Sequence, residues 1–281
     1  MKIILFGVNG QLGSVLYEGL KVRGNEVIGL THADIDIADK QTVTDVITDL
    51  KPDCVVNCAA YNAVDRAESE EVLCRMVNTD AVGFMAAASE SVGAKFMTFS
   101  SDYVFDGKSS TPITEDTPKN PLNIYGRSKA DSEELALKLC SRSFVVRVTW
   151  LYGPNGSNFV NTMLKLALTH DTLRVVNDQV GSPTFAEDLV PALCDMLESD
   201  KYGVYNLSNS GFCTWYEFAC KIFELADAKI NVIPVTTAEY GSKAARPLNS
   251  RLSKEKAEKC GFAPLPSWED ALKRFFEKRV K

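Results

Sequence analysis

Along the first 150 residues the apolar positions fall into two alternating patterns. Short unbroken apolar runs, closed by glycine or polar residues, are followed by longer stretches whose apolar residues recur every three or four positions. The runs at 2–6, 26–31, 53–58, 95–100 and 144–148 predict strands, and the stretches 11–23, 40–50, 73–92 and 125–139 predict helices. In 40–50, for example, Val43, Val46, Ile47 and Leu50 share one helical face. Strand and helix in strict alternation predict an α/β fold, a parallel sheet with helices on both faces. Right-handed crossovers make that sheet doubly wound and Rossmann-like.

After residue 150 the rhythm loosens. Helical spacing persists at 159–168, 186–197, 215–225 and 268–276, separated by longer irregular stretches. The pattern predicts a dinucleotide-binding unit over 1–150. A smaller lobe that covers a substrate is expected mainly over 151–281, interleaved in sequence with the sheet.

Composition narrows the class. At 45% hydrophobic content, 281 residues can bury a full core. A net charge of −6 speaks against a nucleic-acid partner, which wants a basic face. No apolar run approaches the roughly 20 residues needed to cross a bilayer, and 3–6 is too short for a signal peptide. The expectation is a cytosolic protein without a membrane partner. Eight cysteines show no C-x-x-C spacing and sit among apolar residues, so they read as small buried hydrophobes. With only His32 and His170 available, no metal site is expected. Asn155-Gly156-Ser157 and Asn206-Leu207-Ser208 match the glycosylation pattern by chance if the chain is cytosolic.

The first chemical signal is Gly7-Val8-Asn9-Gly10-Gln11-Leu12-Gly13, between the first strand and the first helix. Gly7 permits a tight turn, Gly10 lets the backbone approach a pyrophosphate, and Gly13 lets helix and strand pack closely. The helix N-terminus then offers free N–H groups to phosphates. A nicotinamide dinucleotide is therefore expected, as NADPH or NADH. The second strand ends in Leu30-Thr31-His32, with neither the acid that selects NAD nor an arginine, and leaves that choice open.

Tyr125 and Lys129 lie four apart, on one face of a helix. An ammonium beside a phenol is expected to lower its pKa toward neutrality, which suits a proton donor to a carbonyl oxygen. Ser100-Ser101-Asp102-Tyr103 closes the fourth strand, where parallel sheets place ligands. A Ser101 hydroxyl there is expected to hydrogen-bond a substrate carbonyl and Tyr125.

With these elements in order, the chain resembles the dTDP-4-dehydrorhamnose reductase family of extended short-chain dehydrogenases/reductases. The resemblance runs over almost the whole chain. It is carried by Gly10-Gln11-Leu12-Gly13, Ser101-Asp102-Tyr103-Val104-Phe105-Asp106-Gly107, Tyr125-Gly126-Arg127-Ser128-Lys129 and, with most specificity, Asp178-Gln179-Val180-Gly181-Ser182-Pro183-Thr184. It implies reduction of the C4 ketone of a dTDP-4-keto-6-deoxy-L-hexose to dTDP-L-rhamnose. Tyr125 would be the proton donor, Lys129 its electrostatic and ribose-binding partner, and Ser101 the hydroxyl where the family usually has threonine. Gly7, Gly10, Gln11 and Leu12 would line the pyrophosphate, Asp36 and Ile37 the adenine side, and Ala60, Tyr61 and Asn62 the length of the cofactor. Val64, Asp102, Tyr103 and Trp150 would contact the nucleotide sugar, with the indole as a platform for the sugar. Arg246, whose guanidinium matches phosphate geometry, is a candidate for the substrate diphosphate.

Two departures stand out. Val15 replaces a glutamate that some members place at a metal-bridged dimer contact, so no magnesium bridge is expected; a homodimer stays compatible with the sequence. Asn62 stands where threonine is frequent. Two rival functions remain: an epimerase or reductase of another nucleotide sugar, and a non-catalytic dinucleotide-binding subunit like the regulatory partner of methionine adenosyltransferase.

Overall fold

The computed structural model describes residues 1–279; residues 280 and 281, the last two of the expected lobe, lie outside the described residues. Five strands arise where the apolar runs lie: β1 (Lys2–Phe6), β2 (Glu26–Leu30), β3 (Cys54–Asn57), β4 (Lys95–Ser101) and β5 (Ser143–Val148). With the strand Gly203–Asn206 they form a six-stranded parallel sheet, in the order Gly203–Asn206, β5, β4, β3, β1, β2.

Period-two alternation sorts the side chains of β1. Ile3 and Leu5 face one layer with Leu12, Leu16, Leu189 and Leu193, while Ile4 and Phe6 face the other with Val43, Ile47, Val82 and Met85. Helices Gln11–Val22 and Ala186–Glu198 cover the first face. Helices Lys40–Leu50, Ala81–Val92 and Ile124–Leu139 cover the second. The chain thus returns to the large sheet after residue 150, with a helix and the sixth strand.

A second core lies outside the sheet. Tyr152, Phe185, Phe218, Trp268 and Phe275 gather there from four separate stretches, against Val160 and Ile222. Strands Thr172–Val176 and Asn231–Val235, which the apolar pattern does not predict, pair in parallel beside it.

The long helix expected over 73–92 divides. Helix Glu71–Arg75 runs through a π turn, Met76–Asp80, into Ala81–Val92. The extra residue turns Asn78 and Thr79 onto Ser128: Asn78 Nδ2 donates to Ser128 Oγ at 3.0 Å and Thr79 Oγ1 donates to the Ser128 carbonyl at 2.8 Å. A period of 3.6 read from sequence carries no sign of such an insertion.

Candidate active site

The sheet order reverses between β1 and β3, and ligands of such sheets bind outside the carboxyl ends at that switch. A cavity of about 550 Å³ opens there. Gly7, Gly10, Gln11 and Leu12 form one wall, with Thr31 and His32 from the end of β2 beside them. Gly7 holds φ at 77°, and a Cβ on it would stand 2.6 Å from the Ala59 nitrogen. A Cβ on Gly13 would stand 2.2 Å from the Gly7 carbonyl oxygen. Only glycine lets this turn close. No side chain caps helix Gln11–Val22, so its first-turn N–H groups and positive dipole end remain for an anion. The cradle fits the diphosphate of a dinucleotide.

Opposite stand the side chains of Ser101, Tyr125 and Lys129. Asn123 starts their helix by accepting the Gly126 N–H at 2.7 Å, and its own amide donates to the Ala245 carbonyl at 2.7 Å. One helical turn then carries Tyr125 and Lys129 to the same face. The π turn fixes the third side: Asn78 exchanges two hydrogen bonds with the Tyr61 backbone, at 2.8 and 3.0 Å, holding the loop after β3 against the same helix.

Burial governs the charges. Lys129 is buried and donates to the Phe99 carbonyl at 3.1 Å, and desolvation pulls its ammonium down to about 8. Tyr125 moves opposite to the expectation. Burial first, then Asp102 and Tyr103, push its phenol well above the ordinary range, with the nearby Ser101 hydroxyl pulling the other way. The physical reason is that the Lys129 ammonium sits 6.0 Å from the ring centroid, on a carbonyl, too far to outweigh desolvation of the phenolate. A phenol held protonated is suited to give a proton rather than to take one. Asp102, 1% exposed, is raised to about 6 by desolvation.

The Ser101 hydroxyl donates to Asp102 Oδ1 at 2.8 Å and accepts the Tyr103 N–H at 3.2 Å, so donating to a substrate carbonyl would take a rotation of its O–H away from Asp102.

Ala60, Asn62, Val64, Asp102, Tyr103 and Trp150 also line the cavity. Tyr61 turns away, its hydroxyl donating to Glu70 Oε2 at 2.6 Å. Ile37 is buried in the core of the second face, and Asp36 accepts the Ala38 N–H within its own turn, so neither forms a wall of the cavity. Trp150 is no open platform: Trp215 stacks on it with centroids 3.6 Å apart. Its backbone holds a φ of 49°, uncommon for a bulky residue. Trp215 lines the cavity without any motif to announce it, as do Phe99 and Cys58. The eight cysteines are all free.

Beyond Tyr103 and Trp215 lies a second cavity of about 240 Å³, walled also by Arg174, Gln179, Tyr240 and Arg246. Arg246 faces it while bound to Asp65, at 2.6 and 3.1 Å. The specific run from Asp178 builds the partition between the two cavities. Asp178 accepts from Thr237 Oγ1 at 2.6 Å, Gln179 Oε1 accepts the Trp215 indole N–H at 3.2 Å, and Gly181 lies against the Trp150 ring. Among the described residues no helix is long and apolar enough to cross a membrane.

Comparison with known proteins matches residues 1–280 to the family described as RmlD substrate binding domain. The spore coat polysaccharide biosynthesis protein SpsK of Bacillus subtilis (strain 168) is 43% identical over 99% of this chain and 98% of its own. The dTDP-4-dehydrorhamnose reductase of Escherichia coli (strain K12) is 37% identical over 98% of this chain and 96% of its own. A crystal structure of dTDP-4-dehydrorhamnose reductase from Bacillus anthracis str. Ames in complex with NADP superposes with a TM-score of 0.96 at 40% identity, covering 99% of both chains.

Proposed function

The chain belongs to the dTDP-4-dehydrorhamnose reductase family, and from that premise we propose that it reduces the C4 ketone of dTDP-4-dehydro-L-rhamnose to dTDP-L-rhamnose with NADPH or NADH. The observation that carries this reading is the convergence of Ser101, Tyr125 and Lys129 on a cavity whose other wall is an uncapped helix N-terminus behind a glycine turn.

In this reading the open N–H groups after Gly10 bind the dinucleotide diphosphate, and Lys129 reaches the ribose. A bound, reduced nicotinamide supplies the hydride. Tyr125 gives its proton to the ketone oxygen, and its high pKa keeps that proton available across the neutral range. Lys129, with an ammonium near 8, offers positive charge beside the phenolate that remains. The second cavity takes the nucleotide end of the substrate, where Arg246 and Arg174 suit a diphosphate. A cytosolic enzyme acting on a soluble nucleotide sugar agrees with the net charge of −6.

The test is oxidation of NADPH and of NADH, followed by absorbance, with the keto-sugar generated in situ. Substrate-dependent oxidation supports the reductase and reads out the preferred cofactor. Protein that binds a dinucleotide yet oxidises neither would remove this reading. Tightly retained NAD on the purified protein would turn it toward an epimerase.

A further inference from the structure

A nucleotide sugar carries its hexose and its base at opposite ends of a diphosphate, so in the reductase reading it occupies both cavities at once. The two cavities share two lining side chains, Tyr103 and Trp215. The substrate has to pass the partition that these rings form.

The same indole covers the expected platform for the sugar. Trp215 stacks on Trp150 with ring centroids 3.6 Å apart and planes 15° from parallel. Gly181 closes the other face. A Cβ on Gly181 would stand 2.7 Å from Trp150 Cε2, 2.9 Å from Cζ2 and 3.1 Å from Nε1. The fused atom Cε2 is recessed from the ring edge, so a group nearest to it lies over a face. Trp215 already fills one face, and close packing leaves Gly181 the opposite one. Trp150 thus offers a sugar no free face until one of its two covers leaves.

Gly181 is not the one that can. Val180–Gly181 pairs with Cys213–Thr214, the Val180 N–H donates to the Leu248 carbonyl at 2.8 Å, and the Val180 carbonyl accepts the Ser250 N–H at 2.7 Å. Trp215 is a half-buried side chain at the first position of its helix. Among the described residues its one polar contact is the indole N–H donated to Gln179 Oε1 at 3.2 Å. Gln179 is latched in turn: its amide donates to Thr237 Oγ1 at 3.0 Å, and Thr237 Oγ1 donates to Asp178 Oδ1 at 2.6 Å. A change of rotamer takes the indole off Trp150 without unpairing a strand or breaking the helix cap at Thr214.

We propose that Trp215 is a specificity residue that the substrate displaces. In the free protein its indole covers Trp150 and parts the cavities, with Gln179 holding it there; the hexose ring of the nucleotide sugar then takes its place on Trp150. A nucleoside diphosphate alone fills the second cavity and leaves the stack intact. This inference rests on the reductase reading and adds to it the side chain that yields to the sugar.

Stacked indoles couple their transitions, so the pair gives paired bands of opposite sign in circular dichroism; the third tryptophan, Trp268, lies apart in the lobe core. The full chain with saturating NADP+ is titrated with dTDP-L-rhamnose and, separately, with dTDP, and calorimetry follows each binding. The paired bands should vanish with dTDP-L-rhamnose, persist with dTDP, and be missing from Trp215→Phe. Gln179→Leu, which unlatches the indole, should tighten dTDP-L-rhamnose about threefold to tenfold, with dTDP affinity within about twofold. A residue that only supported the fold would weaken both ligands when replaced. Bands that persist while dTDP-L-rhamnose binds would overturn the inference, as would their loss with dTDP alone or weaker sugar binding by Gln179→Leu. A wild type that neither turns over the keto-sugar nor binds dTDP-L-rhamnose removes the reductase reading and this inference with it. A wild type that does both with its stack intact removes only the displacement of Trp215.

Discussion

The cleft at the carboxyl edge of the sheet and the aromatic core of the smaller lobe both hold buried side chains, yet burial acts in opposite ways. In the lobe, Tyr152 lies 5.4 Å from Phe185, 5.7 Å from Phe218 and 5.5 Å from Phe275 between ring centroids, and every such contact favours the folded chain. In the cleft the buried groups are Asp102, Tyr125 and Lys129, and burial disfavours the charged form of each. The lobe core converts burial into stability. The cleft converts it into shifted proton affinities, at some expense of stability, which the surrounding hydrogen bonds offset.

That contrast is best broken at its extremes. Tyr125→Phe should lower kcat by about 10²–10⁴-fold, with dinucleotide affinity and unfolding temperature close to wild type, since only the proton donor is lost. Stopped-flow turnover and a thermal melt on the same sample check both halves; turnover near wild type would take Tyr125 out of the chemistry. Phe218→Ala is the mirror image. Emptying a fully buried ring site should cost about 3–5 kcal/mol of stability in urea unfolding, with kcat per folded molecule little changed. An unaltered unfolding midpoint would mean that the aromatic cluster does not hold the lobe.

Lys129→Met sharpens the comparison, because it replaces a buried ammonium by an apolar chain. Dinucleotide affinity and kcat should each fall by about tenfold or more, as charge is lost beside both ribose and phenol. Isothermal titration and turnover would show a split between the two if Lys129 served only one of them.

The smallest effect is a pH dependence of stability. The folded pKa of Asp102, about 6, lies above the ~3.9 of an unfolded aspartate. Its contribution is therefore fully present below about pH 4 and is lost as the pH rises through about 6. Asp102→Asn removes that titration, so relative to wild type it should gain on the order of 2 kcal/mol between about pH 4 and pH 7. Urea unfolding at the two pH values measures this directly; a pH-independent difference would mean that Asp102 is not raised.

The first five strands of the large sheet were legible in advance because β1 to β5 are short, mostly apolar runs and their helices keep a clear period. The strands Thr172–Val176 and Asn231–Val235 were not, since Arg174 interrupts one, Pro234 the other, and each needs a partner far along the chain. The π turn at Met76–Asp80 was hidden for a different reason: one inserted residue leaves no mark on composition. At the site, motifs named Gly7, Gly10, Ser101, Tyr125, Lys129 and Trp150, and one cavity collects them. Motifs did not name Trp215, because it arrives from elsewhere in the fold. Arg246 and Trp150, expected at the substrate, each also carry a partner within the chain, Asp65 and Trp215.

By itself the sequence determined which residue types stand at which spacing, and with them the α/β alternation, the glycine turn and the Tyr125–Lys129 pair. Those features are set within one or two turns of chain, where sterics and period decide. Only the tertiary structure decided the proton affinity of Tyr125 and the direction of the Ser101 hydroxyl. Both depend on what excludes water and what accepts a hydrogen bond at a given point, and Asp102 with Ser250 reaches that point only once the chain has closed on itself.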